Sequence, residues 1–149
     1  MMEYRKAELS DLDEICEIRK KQLIDEGYDP CVNIDESLHS FFRDKFENGS
    51  IVEWLGYEDG KIVSTGAILF TAYPPSFRYP TGMRGYITNI YTDPAYRGRG
   101  LASAMLKKLK HESKERGITK LILMASPAGK PVYHRFGFKE SEVWMDMDL

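Results

Sequence analysis

The stretch "YRGRGLA" at 96–102 packs two glycines and two arginines into seven positions, between an apolar, aromatic run and a segment of helical periodicity. A helix N-terminus leaves backbone N–H groups unpaired and carries a partial positive charge. Glycine lets an anion come close to such a backbone without interference from Cβ. Arg97 and Arg99, with the amides of Gly98, Gly100, Leu101 and Ala102, therefore make a cradle for a phosphate. The same residues also suit a tight strand-to-helix turn with solvated arginines, and the turn alone does not choose between these readings. It does exclude two phosphate motifs. A Walker loop needs Lys-Ser/Thr where Leu101-Ala102 stands. A dinucleotide fingerprint needs a third small residue where Ser103 is a poor substitute, and the 49 residues of the 149 that follow Gly100 are too few for a doubly wound sheet.

The elements that must hold this turn are legible in outline. Residues 2–7 suit a first strand. Ser10 reads as an N-cap with Asp13 at capping-box spacing, opening a helix with Leu12, Ile15, Cys16 and Leu23 on its apolar side and an end near Gly27. A second helix is expected over 35–48, with Leu38, Phe41, Phe42 and Phe46 inward, stopped by Asn48-Gly49. The run "IVEWLGYEDGKIVSTGAILF" predicts two strands around an Asp59-Gly60 hairpin turn. Residues 71–84 lack periodicity and read as a long loop, made aromatic and basic by Tyr73, Phe77, Arg78, Tyr79 and Arg84. A strand over 86–92 then leads through the glycine turn into a helix from about Gly98 to Arg116. A buried strand over 120–125, a short helix at 129–136 and a final alternating strand, "WMDMDL", complete an α+β order.

Composition narrows the function classes. With 21 basic and 23 acidic side chains, the net charge of −2 gives no general field for nucleic acid. The two cysteines, Cys16 and Cys31, have neither metal-ligand spacing nor a disulfide framework, as expected for a reducing compartment. No apolar run reaches membrane length and the charged start is no signal peptide, so the reading is one cytoplasmic domain over 1–149 with no membrane or nucleic-acid partner.

"RGRGLA" fits the pattern Arg/Gln-x-x-Gly-x-Gly/Ala, with Arg97, Gly100 and Ala102 in the defining places. Together with "YITNIYTDP" before it and "VYHRFGF" after a further strand, the chain resembles the GNAT superfamily of N-acetyltransferases. The resemblance implies a mixed, mostly antiparallel sheet of about seven strands flanked by about four helices, splayed between strands 86–92 and 120–125. It implies acetyl-CoA as cosubstrate, without a metal, its pyrophosphate on the amides of 97–102 and its pantetheine arm along Ile90, Tyr91 and Thr92. Tyr133 takes the place of the tyrosine that protonates the departing thiolate, a role its neutral phenol suits; packing beneath the final strand is the alternative.

The resemblance leaves the base unassigned. The fourth strand offers only Thr88 and Asn89, Asp93 suits a turn cap, and Glu53 on an earlier strand could reach the cleft but reads rather as part of a solvated strand face. Acceptor contacts are open too, with the 71–84 loop on one side and Cys31, Asn33 and Asp35 on the other. The expected activity is direct transfer of acetyl to a small-molecule primary amine. A protein N-terminus or lysine as acceptor, or a noncatalytic acyl-CoA-binding module, are the alternatives, and a homodimer is compatible with each.

Overall fold

The computed structural model describes residues 1–149 and orders them as β1 (Glu3–Lys6), α1 (Leu12–Asp25), α2 (Asp35–Asn48), β2 (Ile51–Glu58), β3 (Lys61–Ala72), β4 (Met83–Thr92), α3 (Leu101–Glu115), β5 (Leu121–Leu123) and α4 (Lys130–Phe136). The five strands form one sheet in sequence order. All neighbours are antiparallel except β4 and β5, which are parallel and joined through α3.

β3 explains why both faces are covered. Its residues are buried without interruption from Ile62 to Phe70, and they alternate in direction as strand geometry requires. Ala67 and Leu69 join Leu12, Cys16 and Phe42 beneath α1 and α2. Ile68 and Phe70 face the other way, onto Leu106 and Leu109 of α3. The β2–β3 connection is the expected hairpin: Asp59 and Gly60 both have positive φ, 51° and 74°, and Glu58 pairs with Lys61.

Several expectations need correction. The sheet has five strands, not about seven. Residues 144–149 form no strand because they have no partner: they lie exposed, with Trp144 and Asp146 lining a groove that Leu121, Ile122 and Leu123 also line. The strand expected at 120–125 is limited to Leu121–Leu123 and half-buried, since only Gly85–Ile87 of β4 pair with it. α3 begins at Leu101 rather than Gly98, because Gly98 and Gly100 both take left-handed backbone conformations. The capping box belongs to Glu8 and Asp11, not Ser10 and Asp13; the Glu8 N–H donates to Asp11 Oδ2 at 2.8 Å, and Asp11 also holds Arg5. Phe41 is exposed. The long loop shrinks to 73–82, because Thr71 pairs with Arg84 and Ala72 with Met83. No helix is long and apolar enough to cross a membrane, and no cluster of three or more His, Cys, Asp or Glu side chains could hold a metal.

Candidate active site

Pairing between β4 and β5 stops at Ile87 and Leu123, so the two strands part beyond that point. The gap opens into a cleft of about 680 Å³. One wall is the end of β4, with Ile90, Tyr91 and Thr92. The floor is the glycine turn and the start of α3, with Arg97, Gly98, Gly100, Leu101 and Ala102. The opposite wall is the segment 126–129 and α4, including Tyr133. Nine of the ten residues singled out from the sequence thus meet in one cavity. Arg99 is the exception: its guanidinium lies 5.0 Å from the Tyr96 ring centroid and does not line the cleft.

The turn is held open by identifiable contacts. Asp93 Oδ1 accepts the Ala95 N–H at 3.0 Å while Oδ2 takes Lys61 Nζ at 2.9 Å, which keeps the Asp93 carboxyl below its ordinary range and unsuited to act as a base. Arg97 donates from Nε to the Thr92 carbonyl at 3.1 Å and from a terminal nitrogen to Asp25 of α1 at 3.0 Å. Its side chain is therefore a clamp between β4, the turn and α1, and its backbone N–H donates to the Pro94 carbonyl at 3.5 Å. Gly98 and Gly100 have φ of 78° and 76°, and a Cβ on either would meet nothing within 4 Å. They are required by backbone conformation, and the space in front of them stays open. Gly100 caps α3 with no side-chain hydrogen bond, which leaves the first-turn N–H groups free for a ligand.

β4 carries a bulge that the sequence reading did not anticipate. Thr65 pairs with Tyr91 and Ala67 with Thr88, so Asn89 and Ile90 together oppose Gly66. Asn89 takes φ 54°, unusual for a residue with a side chain. A Cβ on Gly66 would lie 3.0 Å from Ile90 Cδ1 and 3.1 Å from Met105 Cβ, so the glycine lets both the bulge and α3 close onto β3. An isolated glycine in a strand pattern was the available signal. Asn89 is buried, donating from Nδ2 to Glu53 Oε1 at 2.7 Å, and its carbonyl accepts the Thr65 hydroxyl at 2.7 Å. Glu53 is only 1% exposed, which overturns the solvated-face expectation. Burial pushes its carboxyl up to about 7, opposed by the Asn89 hydrogen bond and the charge of Arg19.

Tyr133 stands where two cavities meet. It lines the cleft and also a second groove of about 1010 Å³ that runs past Arg78, Tyr79 and Arg84 along β5. Its ring packs edge-on to Phe138 at 6.0 Å, and a Cβ on Gly129 would come within 2.8 Å of it. Burial pushes its phenol up to about 12, so it stays protonated at neutral pH. Cys16 is fully buried with its thiol pushed up to about 11, a poor nucleophile. Asn33 and Asp35, expected near an acceptor, are engaged locally: Asn33 Oδ1 takes the Asp35 N–H, and Asp35 Oδ1 takes Lys20 Nζ. Neither they nor Cys31 line either cavity.

Residues 12–138 match the Acetyltransferase (GNAT) family. A predicted acetyltransferase from Clostridium acetobutylicum, crystallised with acetyl-CoA, is 45% identical with a TM-score of 0.98 over 99% of this chain and 96% of that one. A GCN5-related N-acetyltransferase from Ralstonia eutropha JMP134 is 28% identical, with a TM-score of 0.93 over 100% and 99%. Glucosamine 6-phosphate N-acetyltransferase of Trypanosoma brucei brucei is 33% identical over 90 residues, 60% of this chain and 59% of that protein. Against such curated relatives the chain spans between about half and three fifths of their length.

Proposed function

The chain belongs to the GNAT acetyltransferase family, and on that premise we propose that it moves the acetyl group of acetyl-CoA to a primary amine of a small molecule by direct attack. The observation that carries this reading is the single cleft joining the uncapped start of α3, the parted end of β4 and Tyr133. The amides of 98–102 are assigned to the pyrophosphate, whose charge the helix start favours. The end of β4, Ile90 to Thr92, is assigned to the pantetheine arm as an added strand would pair. A backbone N–H there would hold the carbonyl oxygen as negative charge develops on it.

The amine lone pair forms the C–N bond and the C–S bond breaks. The Tyr133 hydroxyl gives its proton to the departing sulfur, the amine loses one to solvent, and solvent returns one to the Tyr133 oxygen. Burial keeps that phenol protonated at neutral pH, so its proton is available when the thiolate forms. Neither Glu53 nor Asp93 is assigned the role of base: Glu53 lines neither cavity and Asp93 is tied to Lys61. The acceptor therefore has to arrive as the free amine.

Relatives named for glucosamine 6-phosphate make phosphorylated amino sugars the first acceptors to try. Release of free CoA, followed with a thiol reagent, should respond to one member of a panel of amino sugars, their phosphates, polyamines and peptides. Turnover only with peptides would move the acceptor to protein. Tight acetyl-CoA binding with no turnover on any amine would leave a binding module.

A further inference from the structure

The end of α1 also lines the cleft, through Gln22, Asp25 and Glu26. Residues three and four apart share one face of a helix, so the three side chains meet the cavity together. The last turn of α1 holds no basic residue. Carboxylates at the negative end of a helix dipole are locally unfavourable. Asp25 is relieved by Arg97, at 3.0 Å. Glu26 forms no salt bridge, and its one side-chain hydrogen bond comes from Gln22 Nε2, at 3.1 Å. Arg135, on α4, also lines the cleft but makes no bond to Glu26.

Gln22 supplies an independent observation. It is only 8% exposed, and with Nε2 committed to Glu26 its Oε1 is buried without a hydrogen-bond partner. Buried polar atoms are rarely left unpaired, and nothing in the chain provides the missing donor. The two ends of the cleft thus differ in kind. The start of α3 offers N–H donors to an anion, whereas the end of α1 offers an amide oxygen and a carboxylate to a donor. Tyr133 belongs to the same neighbourhood: its phenol is raised first by burial and then by the charge of Glu26.

We infer that Gln22 Oε1 and the Glu26 carboxylate seat the acceptor's amino group, and that Glu26 takes the proton which nitrogen sheds as the C–N bond forms. The inference rests on the acetyl-transfer reading of the cleft. A primary amine has two N–H donors and one lone pair. With one N–H on each acceptor, the lone pair is the direction left for the thioester carbon. The proton passes from nitrogen to Glu26 and, because that residue is exposed, on to solvent. The C–S bond breaks, Tyr133 protonates the sulfur, and solvent restores the Tyr133 proton. An N-methylated amine has one N–H and leaves one acceptor unpaired, so the seat selects primary amines.

The test combines calorimetry of acetyl-CoA with rates on the fastest amine among amino sugars, their phosphates, polyamines and peptides. Glu26→Gln keeps a hydrogen-bond acceptor but not the proton's destination, so kcat should fall about 10²-fold with acceptor KM little changed. Gln22→Leu removes the unpaired oxygen. It should raise acceptor KM roughly 3- to 10-fold and reduce the preference for that amine over its N-methyl derivative. Acetyl-CoA affinity should match wild type in both variants. Glu14→Gln, at an exposed carboxylate of α1 outside the cleft, should change none of these values. Glu26 is exposed, so its variant folds whatever Gln22 contributes to stability. Full kcat in Glu26→Gln overturns the proposal, as does an equal loss in Glu14→Gln or an unchanged acceptor KM in folded Gln22→Leu. Weakened acetyl-CoA binding in either cleft variant also overturns it, by giving these groups to the cofactor's arm. A wild type that binds acetyl-CoA but acetylates no amine overturns the transfer reading and the seat together, whereas fully active variants overturn the seat alone.

Discussion

Asn89 Nδ2 donates to Glu53 Oε1 at 2.7 Å, tying the bulge of β4 to β2 across the intervening β3. Both side chains are buried, and Asn89 Oδ1 has no partner. A protonated Glu53 carries the donor which that oxygen lacks, in keeping with a carboxyl held near 7. The pair therefore supports the backbone that leads into the cleft, and its state depends on pH.

The sign of that dependence follows from the direction of the shift. Glu53 titrates higher in the fold than in the unfolded chain, so its contribution to stability is full below the ordinary carboxylate range and is lost as pH rises through about 7. The loss is on the order of 3 kcal/mol for a fully buried group shifted this far. Glu53→Gln keeps an acceptor for Asn89 and removes the titration. In urea unfolding the variant should gain on wild type between pH 5 and pH 8. Equal slopes against pH for the two proteins would remove Glu53 as the responsible group.

Gly66 makes the same bulge testable from the opposite strand. Gly66→Ala would set a methyl against Ile90 and the Cβ of Met105, and the latter cannot yield without moving α3. Overpacking of this kind costs roughly 1–3 kcal/mol. The melting temperature should fall, and kcat with it, because Ile90 lines the cleft. A variant as stable and active as wild type would mean that the bulge tolerates displacement.

These particulars explain what the sequence could and could not disclose. The bounds of α2 were legible because the Asn48-Gly49 stop is a local signal, although Phe41 of its apolar spacing is exposed. The Asp59-Gly60 hairpin was legible for the same reason. The bulge and the burial of Glu53 were not, because each depends on which strands become neighbours: Glu53 reads as one polar residue in an alternating strand until Asn89 is placed beside it. The glycine turn was legible as an entry to α3, but not the engagement of Arg97 with Asp25, 72 positions away in sequence. The strand expected at the last residues failed for a related reason, since alternation gives a strand its faces but not its partner.

Gly100 separates backbone strain from ligand contact. Gly100→Val forces a branched residue into φ 76° at the mouth of the cleft. Gly117→Val imposes a similar conformation, φ 71°, at the other end of α3 and also in open space. Each should lose about 1–2 kcal/mol from left-handed strain. Only Gly100→Val should also weaken acetyl-CoA in calorimetric titration, since only there does the side chain occupy the anion's place. Equal affinities in the two folded variants would empty the cradle assignment.

Tyr133→Phe tests the proton donor against a packing role. The variant keeps the ring, its edge contact with Phe138 and its fit against Gly129, and deletes only the hydroxyl. Losing a positioned acid costs roughly 10²- to 10⁴-fold in rate, so kcat should fall by about that order. Acetyl-CoA affinity and melting temperature should stay near wild type, because the deleted proton matters only when the C–S bond breaks. A purely structural tyrosine gives the opposite pattern: Tyr133→Phe is harmless, and Tyr133→Ala is damaging through the cavity it opens. Measurement under single-turnover conditions keeps product release from masking the chemical step. A Tyr133→Phe protein with an unchanged single-turnover rate would assign the tyrosine to packing and leave the thiolate to take its proton from water.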